Sequence, residues 1–268
     1  MNRIQKTLML IILLIISISC APKRQESFSF VQLCDTQLGM GGYEHDVAYF
    51  ELAVKQINEL NPDFVVICGD LVHHATDSTY ADFLSIREGF EIPCYLVAGN
   101  HDVGNTPNDT TLRYYRKVVG DDYYTFQHKG CSFIITNTQL WKASVENESD
   151  SHDLWFKETI AEQNKKRHPI FVIGHHPLYI EQPDEEEKYF NIPQDKRQEL
   201  LTIFTRNNVV AYLSGHKHEV VINRFENIQL VTGETTSKNF DGRPMGFRHW
   251  EVSSDTTMHH FVAIQPIF

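Results

Sequence analysis

Several short apolar runs in this chain end directly in segments rich in aspartate, asparagine and histidine. Those segments are Asp35-Thr36-Gln37, Gly69-Asp70, Gly99-Asn100-His101-Asp102, Gly174-His175 and Gly215-His216-Lys217-His218. The apolar runs have the length and composition of buried strands. Because ligands in open α/β sheets collect at the carboxyl ends of strands, these segments should meet in space. The pattern therefore favours an α/β fold with its polar groups gathered at one edge.

Helical and strand-like segments alternate along the chain. Val47, Phe50, Val54 and Ile57 recur at steps of three and four, which predicts an amphipathic helix that ends at Asn61-Pro62. Further helices are predicted near 80–88, 153–166 and 195–206, and a hairpin is predicted around 129–130. This β-rich alternation predicts an α/β sandwich with mixed sheets rather than a purely parallel sheet.

The first 19 residues have the pattern of an export signal. Arg3 and Lys6 precede an apolar stretch from Leu8 to Ile16, and small residues lead up to Cys20. The stretch is shorter than the roughly 20 residues of a membrane-spanning helix. Cys20 and the polar residues after it resemble the lipobox of bacterial lipoproteins. We therefore expect a signal over 1–19, lipidation of Cys20 and a tether over 20–27.

This signal predicts the location of the protein. We expect an exported bacterial lipoprotein that is anchored in a membrane through its lipid and faces the periplasm or the exterior. The alternative is an ordinary secretory signal and a secreted protein. In an oxidising compartment disulfides are possible, but the spacing of the cysteines demands none, so we expect buried free thiols. They are Cys34, Cys68, Cys94 and Cys131.

The charge of the mature chain argues against a nucleic-acid partner. Of the 24 lysines and arginines two lie in the signal, so 22 remain against 35 acidic residues, a net charge of −13. Proteins that bind nucleic acid normally present a basic patch instead. The run Asp184-Glu185-Glu186-Glu187 contributes to this charge and is expected to be a solvated, mobile loop.

The polar segments contain the donor atoms of a two-metal hydrolytic site. A carboxylate such as Asp70 can bridge two cations, which activate a shared water as hydroxide and clamp the oxygens of an in-line displacement. The other donors are Asp35, Asn100, His175, His216 and His218. Mixed nitrogen and oxygen donors suit Mn, Fe or Zn better than Mg or Ca. We therefore expect two divalent metal ions as cofactors.

In combination these segments resemble the calcineurin-like metallophosphoesterase superfamily over essentially the whole mature length. Four segments are similar to the branch of calcineurin-like phosphoesterase domain-containing protein 1, a protein phosphatase. They are 35–39, 69–73, 120–124 and 137–141. The resemblance implies one domain over 28–268, with two packed mixed β-sheets flanked by helices in a four-layer α/β/β/α sandwich. It also implies a metal-dependent phosphatase that acts on monoesters with a metal-bridged hydroxide as nucleophile.

The resemblance also assigns roles to single residues. The first metal would be bound by Asp35, Asp70 and His218, and the second by Asp70, Asn100, His175 and His216. His101 would be the general acid that protonates the leaving alkoxide. The family places its ligand histidine two residues before a proline, and Pro177 therefore selects His175 over His176. Asp102 could orient His101 or be a structural turn residue.

Gln37 departs from the family pattern, because most members have histidine at this position. Purple acid phosphatases also lack that histidine, and in them the fourth residue of Gly-Asp-x-x-Tyr ligates instead. The matching residue here is His73. Three possibilities remain: His73 is the ligand, Gln37 binds through its amide oxygen, or the first metal is loosely held.

Other residues are candidates for binding the phosphorylated substrate. His176 could reach its phosphate, and Arg243 and Arg248 could clamp it, because a guanidinium forks onto phosphate oxygens. Trp141, Tyr179 and Phe240 could line a pocket, although aromatic residues in such numbers are more often in the core. Two alternative functions remain. One is a phosphodiesterase or nucleotidase of the same fold, and the other is a catalytically degenerate metal- or ligand-binding lipoprotein.

Overall fold

The computed structural model describes residues 26–265 of the chain. The expected signal, Cys20 and most of the expected tether lie outside the described residues. Among the residues that are described, no helix combines the length and apolar character needed to cross a membrane.

Two mixed sheets form the centre of the fold. Their strands are β1 Phe28–Leu33, β2 Phe64–Ile67, β3 Cys94–Leu96, β4 Tyr124–His128, β5 Cys131–Ile135, β6 Ile170–Ile173, β7 Val209–Ser214, β8 Val221–Phe225, β9 Ile228–Thr232, β10 Gly246–Val252 and β11 Thr257–Ala263. The first sheet has the order β11-β10-β1-β2-β3, with β1, β2 and β3 parallel. The second has the order β4-β5-β6-β7-β9-β8, with antiparallel pairs at both edges. Within each sheet the parallel strands therefore have their carboxyl ends on the same side.

The longer helices pack on the outer faces of both sheets, and two four-residue helices follow strands β3 and β5. They are α1 Tyr43–Leu60, α2 Asp77–Arg87, α3 Asn100–Val103, α4 Asp109–Val118, α5 Gln139–Lys142, α6 Glu148–Lys165 and α7 Gln194–Arg206. The predicted face of α1 is buried, including Phe50 and Ile57. The helix ends as expected, because Asn61 takes a left-handed conformation (φ 54°) just before Pro62.

An aromatic core joins the two sheets. The ring of Phe30 stacks between Phe64 and Trp250, at centroid distances of 5.0 and 5.6 Å, and meets Phe133 edge-on at 5.7 Å. The buried indole N–H of Trp250 donates to the side-chain oxygen of Gln32 at 3.0 Å, so this polar group is satisfied. Further apolar layers separate each sheet from its helices. The structure confirms the predicted four-layer α/β/β/α sandwich.

Candidate metal centre

The carboxyl ends of strands from both sheets meet and deliver the predicted donors. Asp35, Asp70 and Asn100 follow β1, β2 and β3, while His175 and the His216/His218 pair follow β6 and β7. All six side chains are buried. Two sets of donor atoms each lie within 4.8 Å of one another. The first donor group is Asp35, Asp70 and His218; the second donor group is Asp70, His175 and His216.

Glycines allow these strand ends to come so close. A Cβ on Gly99 would lie 2.1 Å from the backbone nitrogen of Asp70, and a Cβ on Gly69 would lie 2.5 Å from Nδ1 of His175. Gly69 also has a positive φ of 83°, which glycine adopts without steric cost. The glycines of the sequence segments therefore create the space in which the donors converge.

The backbone of the site is strained. Within the described residues, eleven non-glycine residues have positive φ, and five of them belong to the site. They are Asp35, Gln37, Asp70, His216 and His218. Such conformations cost about 1–3 kcal/mol each and persist where the surroundings enforce them, most often at functional sites. One such constraint is the backbone N–H of His216, which donates to both carboxylate oxygens of Asp35 at 2.9 and 3.0 Å.

His175 has one ring nitrogen fixed and the other directed at the donors. Its Nδ1 lies 2.8 Å from the carbonyl oxygen of Cys68, and because a carbonyl only accepts, Nδ1 carries the hydrogen. Its Nε2 lies 3.0 Å from Oδ1 of Asn100 and 3.3 Å from Oδ1 of Asp70. One nitrogen and two oxygens therefore converge on a single point.

The other two imidazoles are fixed in the same way. Nδ1 of His218 contacts the carbonyl oxygen of Lys238 at 2.6 Å, and Nε2 of His218 lies 3.9 Å from Oδ1 of Asp35. Nε2 of His216 contacts the carbonyl oxygen of Tyr189 at 3.3 Å, which leaves Nδ1 as its remaining nitrogen. Metal-bound histidines typically donate their other N–H to a carbonyl or carboxylate. All three histidines thus fit a role as metal ligands.

The electrostatics of the site also favour bound cations. Burial alone would lower the pKa of His175, but the carboxylates of Asp70 and Asp35 raise it to about 9. Burial would raise the pKa of Asp70, yet His175 holds it below its ordinary value. Burial does raise the pKa of Asp35. Two buried carboxylates beside these histidines create a negative potential that a pair of divalent cations would neutralise.

His101 and Asp102 have separate roles in the structure. The backbone N–H of His101 donates to Oδ1 of Asp70 at 2.9 Å, and its Nδ1 contacts the carbonyl oxygen of His73 at 2.9 Å. Asp102 instead accepts from the backbone N–H groups of Gly99 and Leu71 at 2.8 and 3.1 Å. Of the two roles expected for Asp102, the structure agrees with that of a turn residue. Its carboxylate accepts hydrogen bonds from backbone N–H groups and not from the His101 ring.

Gln37 and His73 lie side by side. Nε2 of Gln37 is 3.5 Å from Nδ1 of His73, while Oε1 of Gln37 is buried without a hydrogen-bond partner. The ring of His73 stacks on His101 at 4.7 Å. His73 belongs to neither donor group among the described residues. The buried Oε1 of Gln37 therefore has no partner within the described residues, and an amide oxygen of this kind can bind a cation.

The remaining substrate candidates lie in different environments. His176 is fully buried, with Nδ1 3.1 Å from the hydroxyl of Thr138 and its ring 4.0 Å from that of His216. Arg248 is buried in β10 and donates to Glu234 at 2.6 Å. Arg243 is exposed and pairs with Asp241 at 3.6 Å. The structure thus places His176 next to the second donor group and gives both arginines carboxylate partners of their own.

The acidic run differs from the expectation of a solvated loop. Asp184, Glu186 and Glu187 are exposed, but Glu185 is only 8% exposed. Its carboxylate accepts from the backbone N–H groups of residues 180, 181 and 182 and from the side chain of Asn191. Glu185 is therefore the buried centre of an ordered loop. No sequence motif indicated that this loop brings Tyr189 against His216.

Comparisons with known proteins agree with this geometry. The family model described as calcineurin-like phosphoesterase matches residues 28–220. Serine/threonine-protein phosphatase CPPED1 from Rattus norvegicus is 32% identical over 90% of this chain and 85% of its own. The Homo sapiens protein of that name is 29% identical over 94% and 90%. The crystal structure of a dimetal phosphatase from Danio rerio shares the fold, with a TM-score of 0.68 at 14% identity over 87% of this chain and 95% of that chain.

The chain therefore belongs to the calcineurin-like phosphoesterase family, in the branch that contains the CPPED1 proteins. It is a metal-dependent enzyme that hydrolyses phosphoester bonds, and it has two candidate metal sites that share Asp70. These findings confirm the predicted superfamily, branch, reaction class and metal dependence.

Proposed function

We propose that this protein is a two-metal phosphomonoesterase that removes phosphate from phosphorylated serine and threonine residues of proteins. The observation that carries the proposal is the position of Asp70. This one carboxylate belongs to both donor groups and also accepts the backbone N–H of His101. The similarity to serine/threonine-protein phosphatases over most of both chains supports the protein substrate.

The roles of the metal ligands follow from the two donor groups. Asp35, Asp70 and His218 would hold the first metal, with Gln37 as an additional donor through Oε1. The second metal would be held by Asp70, Asn100, His175 and His216. Two such ions, when bound, neutralise phosphate charge and lower the pKa of water. The chain itself orients the donors, because three backbone carbonyls fix the histidine tautomers.

His101 is positioned to act as the general acid. Its Nδ1–H donates to the carbonyl oxygen of His73, so the ring orientation is fixed and Nε2 remains available to deliver a proton. Its backbone is tied to Asp70, so the ring lies beside the shared ligand without belonging to a donor group. Protonation of the leaving alcohol oxygen by this imidazole would complete the hydrolysis.

A substrate panel tests this function. Purified mature protein with added manganese should hydrolyse para-nitrophenyl phosphate and phosphoserine or phosphothreonine peptides faster than bis-para-nitrophenyl phosphate, nucleoside monophosphates and cyclic AMP. The variant Asp70→Asn is the control for contaminating phosphatases. Preferential hydrolysis of diesters would instead establish the phosphodiesterase alternative, and preference for nucleoside monophosphates would establish the nucleotidase.

We also propose that the enzyme is an exported lipoprotein anchored through Cys20. The charged start, the apolar stretch and the cysteine after small residues support this. Since acyl chains contribute about 0.8 kcal/mol per buried CH₂, and more than one chain gives stable anchoring, the anchor should depend on this thiol. Cys20→Ala should release active enzyme into the soluble fraction or leave the signal uncleaved. An unlipidated mature protein with another first residue, detected by mass spectrometry, would favour plain secretion.

A further inference from the structure

Two exposed aromatic rings lie against the two imidazoles of the His216-Lys217-His218 segment. The ring of Tyr189 is 5.0 Å from that of His216, and the ring of Phe240 is 4.9 Å from that of His218 at an interplanar angle of 21°. Tyr189 is 49% exposed and Phe240 is 46% exposed. Large apolar side chains at the rim of a polar site are a common sign of a binding surface. We refer to Tyr189 and Phe240 as the aromatic pair.

The loop that carries Tyr189 is built to be ordered. The buried guanidinium of Arg197 donates to the carbonyl oxygens of Pro183, Glu185 and Ile192 at 2.8–3.3 Å. The ammonium group of Lys142 donates to two more carbonyls of the same loop at 2.9 and 2.7 Å. These charge-assisted bonds hold the loop in place. Tyr189 is therefore exposed on an ordered loop, and its exposure does not result from loose packing.

Both rings are also tied to the site itself. The side-chain amide of Asn100 donates to the hydroxyl oxygen of Tyr189 at 3.2 Å. The backbone N–H of Phe240 donates to the carbonyl oxygen of His218 at 3.0 Å. Each ring therefore has a defined place beside one donor group, with its remaining surface open to solvent.

We propose that the aromatic pair binds the alcohol part of the substrate and selects phosphoesters whose alcohol is aromatic or bulky and apolar. This rests on the proposed function, in which the phosphate binds at the buried donors. The alcohol must then project toward solvent, where Tyr189 and Phe240 are exposed. An apolar group that covers these rings removes their surface from water, whereas a small alcohol covers little of it. In a phosphoprotein, the corresponding group is an apolar side chain next to the phosphorylated residue.

Benzyl phosphate and ethyl phosphate provide the test. Their alcohols have similar acidity, so the two esters place similar demands on the general acid and differ in apolar size. We expect the wild-type enzyme to prefer benzyl phosphate in kcat/KM. In Tyr189→Ala and in Phe240→Ala this preference should fall about 10-fold, mainly through KM. Tyr189→Phe keeps the ring and should keep the preference. Leu154→Ala, at an exposed position of α6, is the matched control.

A binding measurement separates recognition from turnover. Calorimetry with benzylphosphonate and ethylphosphonate, on samples matched for metal content by mass spectrometry, should show the same loss of preference in both alanine variants. If both variants remain active and keep the preference for benzyl phosphate, the aromatic pair does not select the alcohol. The proposed function would be unaffected by that result. Failure of the metal-loaded wild-type enzyme to hydrolyse any phosphomonoester would overturn both. A preference lost equally in Leu154→Ala would also refute the specific role of these rings.

Discussion

The two donor groups share Asp70 but differ in how completely the chain builds them. In the second group, Nε2 of His175 already lies within 3.3 Å of two oxygens, from Asn100 and Asp70. In the first group, Nε2 of His218 is 3.9 Å from Asp35, and the additional donor that we propose is the neutral amide of Gln37. One shared carboxylate therefore belongs both to a closely spaced set of donors and to a more open one. We therefore expect the second metal to bind more tightly than the first.

Asp70→Asn should have the largest effect, because it removes the charge that both groups share. We expect loss of both metals and a fall in kcat/KM of about 10³-fold or more, which corresponds to several kcal/mol of lost charge stabilisation. Metal analysis by mass spectrometry and phosphatase assays measure this. Asp82→Asn, at a carboxylate that contacts Tyr43, is the control. An Asp70→Asn enzyme that kept two metals and its full rate would refute the shared bridge.

His101→Ala tests the residue that lies beside the bridge but in neither group. We expect kcat to fall by about 10²- to 10⁴-fold, the usual range for general acid catalysis, while both metals stay bound. The loss should be smaller for para-nitrophenyl phosphate than for a phosphoserine peptide, because a good leaving group needs less protonation. His260→Ala, an exposed histidine of β11, is the control. Equal losses on both substrates would exclude the acid role.

Single-ligand variants should separate the two groups. A calorimetric manganese or zinc titration of wild-type protein should show two steps that differ by about 10-fold or more in affinity. His218→Ala should abolish the weaker step, and His175→Ala should abolish the tighter one. If His218→Ala removed the tighter step, the order of the two sites would be reversed.

The elements that sequence predicted best are those in which local pattern and tertiary role coincide. The strand ends and their donors were predictable because an apolar run, a glycine and a ligand stand next to each other in the chain. Helix α4 (Asp109–Val118) was not predicted. It buries only Leu112 and Tyr115, and most of its other residues are polar or charged, so few apolar residues mark it in the sequence. The cap at Asn108, whose side chain accepts from the backbone N–H groups of Thr110 and Thr111, was the signal that could have located its start.

Other features of the site could not be predicted from the sequence, because they depend on contacts with backbone atoms that are distant along the chain. The carbonyls of Cys68, Lys238 and Tyr189 fix the three imidazoles, and carbonyls exist at every position. The buried role of Glu185 inside an acidic run depends on backbone N–H groups that only the folded loop brings together. A solvated run and an ordered loop therefore have the same sequence signature here.

Gln37 offers the finest test of the difference between the groups. If its Oε1 is a donor of the first site, Gln37→Ala should weaken the weaker metal step by about 10-fold and His73→Ala should weaken it less. The opposite order would assign the ligand to His73. Calorimetric titration of the two variants under identical conditions decides between them.

Gln37→His should then reduce the difference in affinity between the two metal-binding steps. An imidazole is a better donor to a borderline metal than a neutral amide, so the weaker step should tighten while the tighter step stays unchanged. The substitution is compatible with the backbone, because histidine is among the residues that tolerate positive φ, and φ at this position is 34°. Manganese or zinc titration of Gln37→His beside wild-type protein measures the change. An unaltered weaker step would show that side chain 37 does not reach the first metal, and that the difference between the two groups arises from Asp35 and His218.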